Sequence, residues 1–388
     1  MSIRVVARLG AAQTLAWGST YYLPAVLANA MAADLGLSTA WIFVAFSSGL
    51  LLSGFLGPAA GRLIDVHGGR RVLAGSNLIF AAGLTMLGLA SSAAALIASW
   101  LVIGIGMSAG LYEAAFSTLA GIYGRDARRA ITGITLIAGF ASTLGWPLSA
   151  WMEVSYGWRT ACFVWALAHL AIGLPLNLWL PPSRPREKSV EAEAGTTAGG
   201  RRRLGVMAAL SFVFAATWFS STAMAAHLPR LLQEAGASLP VAIAAAALVG
   251  PAQVAARMLE FWLMRHVHPI VSARIASLTH PIGAAGLLAV GAPAAAFFTV
   301  SHGAGNGVMT IAIGTLPLHL FGAAGYGLRQ GLLMVPARLL QAGAPFAFDM
   351  LLSRFGTAAL GVTAALGLAS FAVLLLLRAE HPPARRAS

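Results

Sequence analysis

Apolar runs of about twenty residues, each closed by a short cluster of glycine, proline or arginine, recur from one end of the chain to the other. A helix needs roughly 20 apolar residues to cross the hydrocarbon of a bilayer. Twelve runs reach that length, at 10–32, 41–63, 72–91, 95–121, 130–151, 159–180, 205–228, 240–262, 270–291, 293–315, 329–350 and 355–378. The thinnest boundary lies between the ninth and tenth, where Gly291, Ala292 and Pro293 are the whole interruption. None of the runs alternates with the period of two that a membrane strand needs, and unpaired backbone is costly in lipid, so a barrel is excluded. The pattern predicts an all-α polytopic membrane protein with twelve transmembrane helices.

Composition agrees. Hydrophobic residues make up 58% of the 388 and charged residues 10%, whereas soluble domains carry about 25% charged residues. The mean hydropathy is +0.79. Such a chain belongs in a lipid bilayer.

The arginines set the orientation. Arg4 and Arg8 precede the first run; Arg70, Arg71, Arg125, Arg128, Arg129, Arg184, Arg186, Lys188, Arg201 to Arg203, Arg265 and Arg329 follow even-numbered runs, and Arg378, Arg385 and Arg386 lie in the tail. The odd connections hold only Arg159, Arg230 and Arg354. Basic loops stay in the cytoplasm, so both termini are expected there, in a bacterial-type inner membrane. The net charge of +13 is thus topology; arginines scattered over many short loops form no nucleic-acid-binding face. Ala28-Asn29-Ala30 could be read as a signal-peptide cleavage site, but cleavage would leave eleven helices. One expected outcome checks this orientation: a cysteine in the 181–204 segment is labelled only from the cytoplasmic side, and one at Asp34 only from outside. Labelling of both from one side overturns the twelve-helix topology.

Residues 181–204, rich in Pro, Glu, Arg, Gly and Ala, read as a cytoplasmic linker between six-helix bundles at 1–180 and 205–388. A weak internal echo suggests duplication. Gly57-Pro58-Ala59 followed by Arg62 and Asp65 is answered by Gly250-Pro251-Ala252 followed by Arg257 and Glu260, each arginine three residues before its carboxylate.

Residues 57–71, Gly-Pro-Ala-Ala-Gly-Arg-Leu-Ile-Asp-Val-His-Gly-Gly-Arg-Arg, form a tight basic hairpin between the second and third runs. Any short polytopic hairpin could contain glycine and arginine. Gly61, Leu63, Asp65, Gly68 and Arg70, however, match the pattern Gly-x-Leu-Ala-Asp-Arg-x-Gly-Arg-Lys, and the chain resembles the major facilitator superfamily, with monocarboxylate carriers as one branch in view. Val66 and Gly69 depart from the pattern where basic residues are usual. The resemblance implies two parallel six-helix pseudo-repeats, alternating access, and a gating role for Gly61, Asp65, Gly68, Arg70 and Arg71. On the fifth run, Gly139, Gly145, Trp146 and Pro147 only partly match the antiporter motif of the superfamily, so export by antiport does not follow. Gly157-Trp158-Arg159 reads as a cap opening the sixth run.

Several chemistries are absent. Cys162 is the sole cysteine, which removes disulfide frameworks and thiol-rich metal sites. There is no phosphate-cradling Gly-x-x-x-x-Gly-Lys-Ser, no His-Glu-x-x-His and no Gly-x-Ser-x-Gly. No enzyme activity, metal or cofactor is expected, and transport would draw on a gradient.

Polar groups inside the runs are expensive and are therefore functional candidates. Glu113, a carboxylate in the fourth run, is a candidate for proton coupling or for a structural pair with an arginine. Arg338 on the eleventh run has no acid at neighbouring turns; its fork suits a carboxylate ligand, or else a fixed bridge to Glu113. Arg257, with Glu260 one turn on, reads as a gate or as a substrate ligand, and the resemblance keeps the latter open because monocarboxylate carriers place a functional arginine on the eighth helix. His302 could share the proton work, and Asn306 lies four residues on, on the same face. Gln13, Trp17 and Tyr21 form a stripe on the first run; Trp218, Ser221 and Thr222 on the seventh, Gln253 on the eighth, Gln341 beside Arg338, and Ser47 and Ser48 are further pocket candidates. The reading is a monomeric secondary transporter moving a small organic anion with protons. The alternatives are efflux of a drug-like compound or metalloid oxyacid, and a non-transporting sensor on the same fold.

Overall fold

A computed structural model describes residues 2–182, 198–263 and 267–377. The linker proper, Arg265 and the basic tail therefore lie outside the described residues. Among those described, every regular element is helical and none is a strand. In order these are α1 (Ile3–Ala16), α2 (Pro24–Leu35), α3 (Thr39–His67), α4 (Gly69–Gly88), α5 (Ala93–Gly110), α6 (Tyr112–Tyr123), α7 (Arg128–Ala138), α8 (Ala141–Tyr156), α9 (Trp158–Ala168) and α10 (Leu174–Leu178). They continue with α11 (Ala198–Glu234), α12 (Leu239–Ala246), α13 (Val249–Leu263), α14 (Pro269–Val290), α15 (Ala295–Phe321), α16 (Tyr326–Phe355) and α17 (Leu360–Leu376).

Ten stretches are long and apolar enough to cross a membrane, against the twelve expected. The difference has two sources. The first expected run is interrupted by a π-helical segment at Trp17–Tyr21, so neither α1 nor α2 reaches membrane length alone. The last stretch, Tyr326–Leu376, contains both α16 and α17, and Gly356, at φ +55°, breaks it between them. The thin ninth–tenth boundary is a real turn: Gly291 adopts φ +73° and a short 3-10 turn at Ala292–Ala294 leads into α15.

Breaks inside runs were invisible to hydropathy and matter most for the site. The fourth run splits at Leu111, which is extended between α5 and α6. The fifth splits at Gly139 and Phe140 between α7 and α8. The sixth contains a second π-helical segment at His169–Gly173. Such irregular backbone persists in a membrane protein only where protein groups satisfy it. At Leu111 the freed Gly110 carbonyl accepts from Gln13 Nε2 at 2.7 Å.

One buried core draws on residues from Val5 to Leu180, joined by Leu318 and Tyr326; two others draw on residues 210–377. The two sets meet chiefly along α3 and α16. Gly54 lies under Arg338, Gly57 faces Gly331, and Gly61 faces Gly327, so the two backbones approach where no side chain intervenes.

Candidate functional site

The break at Leu111 starts α6 afresh, which puts Glu113 in its first turn. From there its carboxylate meets Arg338 of α16 at 2.7 Å. Arg338 is buried and also donates to Gln341 Oε1 at 2.6 Å; Gln341 in turn donates to the Tyr21 hydroxyl at 2.9 Å. The guanidinium lies 5.1 Å from the Trp218 ring. Arg338, unpaired as far as its own helix shows, thus takes its carboxylate from the other half of the molecule, and the bridge to Glu113 is the arrangement found.

Trp17 is the hub of an aromatic cluster. Its ring lies 5.0 Å from Tyr21, 6.2 Å from Tyr22, 4.8 Å from Tyr112 and, with parallel planes, 6.4 Å from Trp218. Trp218 comes from α11, so the cluster joins the two halves. The indole N–H groups of Trp17 and Trp218 and the hydroxyl of Thr222 are buried with no partner among the described residues. Unpaired donors in a buried place are costly unless something occupies the space beside them.

Arg257 stands on the other flank of this cluster, where it interacts with Tyr112 and Tyr22. Its exposure is 5%. The guanidinium donates to the Thr135 carbonyl at 2.9 Å, the Gly307 carbonyl at 3.3 Å and Thr310 Oγ1 at 3.5 Å. No carboxylate among the described residues pairs with it. Glu260, one turn away on the same helix, reaches the other half and binds Arg128 at 2.9 Å. Gly139, at the break between α7 and α8, leaves room for the guanidinium; a Cβ there would lie 2.7 Å from Arg257 Nη1.

The gate residues divide. Asp65 accepts from the amides of Gly327 and Leu328 at 3.0 and 2.9 Å, capping the first turn of α16 from across the interface. Glu260 also crosses the interface, but to a side chain: it pairs with Nη2 of Arg128, the first residue of α7, whose Nη1 bonds the Val267 carbonyl at 2.7 Å. The two carboxylates of the sequence echo therefore each reach across to the start of a helix in the opposite half. Gly68, at φ +82°, makes the turn between α3 and α4, and Gly69 seats against Thr118. Arg71 is exposed and Arg70 half-buried, and among the described residues neither makes a hydrogen bond or ion pair to α16. At the opposite end the ion pairs stay within a half, Asp34 with Arg159 and Arg230 with Asp349. The molecule is thus closed at its Asp65 end.

His302 and Asn306 do not line the aromatic cluster. They face a separate pocket among α11, α14, α15 and α17. Gln253 contributes backbone, against which Gly307 packs. Ser47 makes one long bond, 3.5 Å, to the Ala342 carbonyl of α16. Sequence reasoning missed Arg128, counted only as a topology signal, and His280, an ionisable residue inside an apolar run that the same rule of intramembrane polarity would have flagged. The central role of Tyr112 became visible only with the break at Leu111.

A family model for the Major Facilitator Superfamily matches residues 9–325, and the chain belongs to that superfamily. It is a multi-pass membrane protein with the fold of those transporters. It is 23% identical over 279 residues to the 4-hydroxybenzoate transporter PcaK of Pseudomonas putida, a match spanning 63% of this chain and 62% of that protein. The human organic anion transporter MFSD10 has the same fold, with a TM-score of 0.71 at 17% identity, covering 96% of this chain and 99% of that one. So does the proton:xylose symporter XylE, with a TM-score of 0.73 at 15% identity, covering 97% and 95%.

Proposed function

We propose that the protein moves a small organic monoanion, a planar monocarboxylate, across the cytoplasmic membrane by proton-coupled alternating access. One observation carries this reading: Arg257 is buried with neutral partners only, while Arg338 on the opposite flank is neutralised by Glu113. Two guanidinium groups against one carboxylate leave a single positive charge at the aromatic cluster. A monoanion matches it. The unpaired indole N–H groups of Trp17 and Trp218 add donors for carboxylate or phenol oxygens, and their parallel rings offer faces for a planar substrate. The partial likeness to an aromatic-acid transporter points the same way. The anion ligand expected at Arg338 is therefore assigned to Arg257.

Closure at the Asp65 end, where the basic loops lie, makes this the outward-facing arrangement if those loops are cytoplasmic. In the aromatic lining alone there is also a fit to efflux of an apolar drug-like compound, which would have no use for Arg257.

Binding of benzoate against benzamide to the purified protein separates the two. A charge-assisted bond contributes about 1.5–3 kcal/mol, so benzoate should bind roughly 10- to 100-fold more tightly. Arg257→Gln should erase the difference, and Arg257→Lys should restore little of it because an ammonium lacks the fork. Equal binding of acid and amide by the wild-type protein overturns the anion reading in favour of the exporter.

A further inference from the structure

The two π-helical segments, Trp17–Tyr21 and His169–Gly173, meet through a polar chain. Nε2 of His169 lies 2.8 Å from Ser19 Oγ, and its Nδ1 lies 2.8 Å from Asn77 Oδ1 on α4. Asn77 Nδ2 donates to the Leu73 carbonyl at 2.8 Å, which anchors the chain in α4. All three side chains are buried. The Phe80 ring covers that of His169, with centroids 4.8 Å apart. A Cβ on Gly173 would overlap Asn77 Oδ1, so that glycine is what lets the amide reach the imidazole.

The chain ends inside the turn that carries the aromatic residues. The Tyr22 amide donates to the Trp17 carbonyl at 3.1 Å, which makes this turn one residue wider than an α-helical one. Ser19 sits in the middle of it, across the helix from Trp17 and Tyr21, which share a face. The hydroxyls of Ser19 and Thr20 donate back to the Leu15 and Ala16 carbonyls at 2.7 and 2.6 Å, a pattern that bends a regular helix. On another side Gly18 meets α8: a Cβ on Gly145 would lie 2.8 Å from Gly18 Cα. The extra residue sets the phase between two fixed points. Before it, Gln13 donates to the Gly110 carbonyl; after it, the Tyr21 hydroxyl accepts from Gln341. Were the turn to relax to an α-helix with Gln13 held, Tyr21 would swing by about 100° away from Gln341 and from the edge of the Trp17 ring. Ser19, Asn77 and His169 all belong to the N-terminal half, whereas the bond from Gln341 to Tyr21 crosses to the other, so the histidine tie is the one that can hold the turn when the halves part.

We propose that His169 is a positioning residue of the substrate site: through Ser19, and braced by Asn77, it holds the wide turn that presents the Trp17 and Tyr21 rings, and so sets the preference for a planar substrate ring over a puckered one of equal charge. It touches no substrate itself. The proposal rests on the reading of the aromatic cluster as the substrate site.

The test measures binding of benzoate, cyclohexanecarboxylate and their two amides to the purified full-length protein. The two acids carry the same charge and differ in the flatness of the ring. Wild-type protein should bind benzoate about 3- to 10-fold more tightly than cyclohexanecarboxylate. His169→Phe keeps a flat ring against Phe80 but loses both polar contacts. It should bring the two acids to within about twofold of each other, while the preference for benzoate over benzamide, which belongs to Arg257, stays in place. His169→Gln, whose amide can still bond Ser19, should restore most of the planar preference. Ser19→Ala cuts the same tie from the other end and should match His169→Phe, and the double variant should be no worse than either single one. A planar preference unchanged in either His169→Phe or Ser19→Ala overturns the proposal. So does its absence in the wild type, or an equal loss of affinity for all four compounds, which is what a merely structural role gives. Should His169→Phe fail to fold, Ser19→Ala decides the question. If wild-type protein binds benzoate no better than benzamide, the anion reading falls, and benzamide against cyclohexanecarboxamide carries the same test of His169. Absence of binding by all four compounds overturns both.

Discussion

Glu113→Gln is expected to destabilise the protein far more than the loss of one hydrogen bond would suggest, because it strands the buried Arg338 guanidinium. Breaking a buried ion pair from one side costs about 3–5 kcal/mol; Glu113 retains 16% side-chain exposure, which places the cost toward the lower figure. Gln341 and the face of Trp218 remain as partners for Arg338, but both are neutral. Arg338→Gln should cost a similar amount for the converse reason. The double variant Glu113→Gln, Arg338→Gln removes both charges and should recover most of the stability, leaving a coupling energy of about 2 kcal/mol or more in the cycle. Thermal unfolding of the four proteins in one detergent measures it. Additive single-variant losses would show that the 2.7 Å contact does not couple the two halves. Transport adds a second readout: the double variant keeps Arg257, so a benzoate preference that persists in it separates a structural pair from the anion ligand.

That pair also shows where the sequence is legible and where it stops. Glu113 and Arg338 each stood out because a charge inside an apolar run has to be explained by something. Their partnership stood only as one of two readings of Arg338, since 225 residues separate the two and no local spacing chooses between a fixed bridge and an anion ligand. Arg257 and Glu260, three residues apart on one helix, read together as a gate; in the fold they part, because Glu260 is drawn to Arg128 across the interface. The helices were readable because lipid demands length and apolarity, and both are local properties. The breaks at Trp17, Leu111 and Gly139 were not, because a helix that stops and restarts inside a bundle keeps its hydropathy while redirecting its side chains. Those breaks are what bring Trp17, Tyr112 and Arg257 together. The gate lies between these extremes. Asp65 was visible as a motif residue, but its action on the backbone amides of Gly327 and Leu328 required the fold.

Gly61→Val should reduce transport to near background while the protein still inserts and folds. A Cβ on Gly61 would overlap the Gly327 backbone, where neither atom belongs to a flexible side chain that could give way. The helices α3 and α16 must separate there, and the two bonds from Asp65 to the start of α16, close by on the same face, go with them. Overpacking of this kind costs about 1–3 kcal/mol or more, and 1.4 kcal/mol is already tenfold in a conformational equilibrium. The penalty falls mainly on the state closed at the Asp65 end, so the carrier should accumulate open at that end. Because Cys162 is buried and is the sole native cysteine, a single cysteine introduced at Ser53, on the wall beside Glu113 and Arg338, reports the change: its labelling from the basic-loop side should rise in Gly61→Val. Gly343→Val, at a glycine of α16 with open space around it, controls for the effect of valine in that helix pair and should transport at nearly the wild-type rate. Equal transport by the two variants would mean that the close approach of α3 and α16 at Gly61 is not part of the transport cycle.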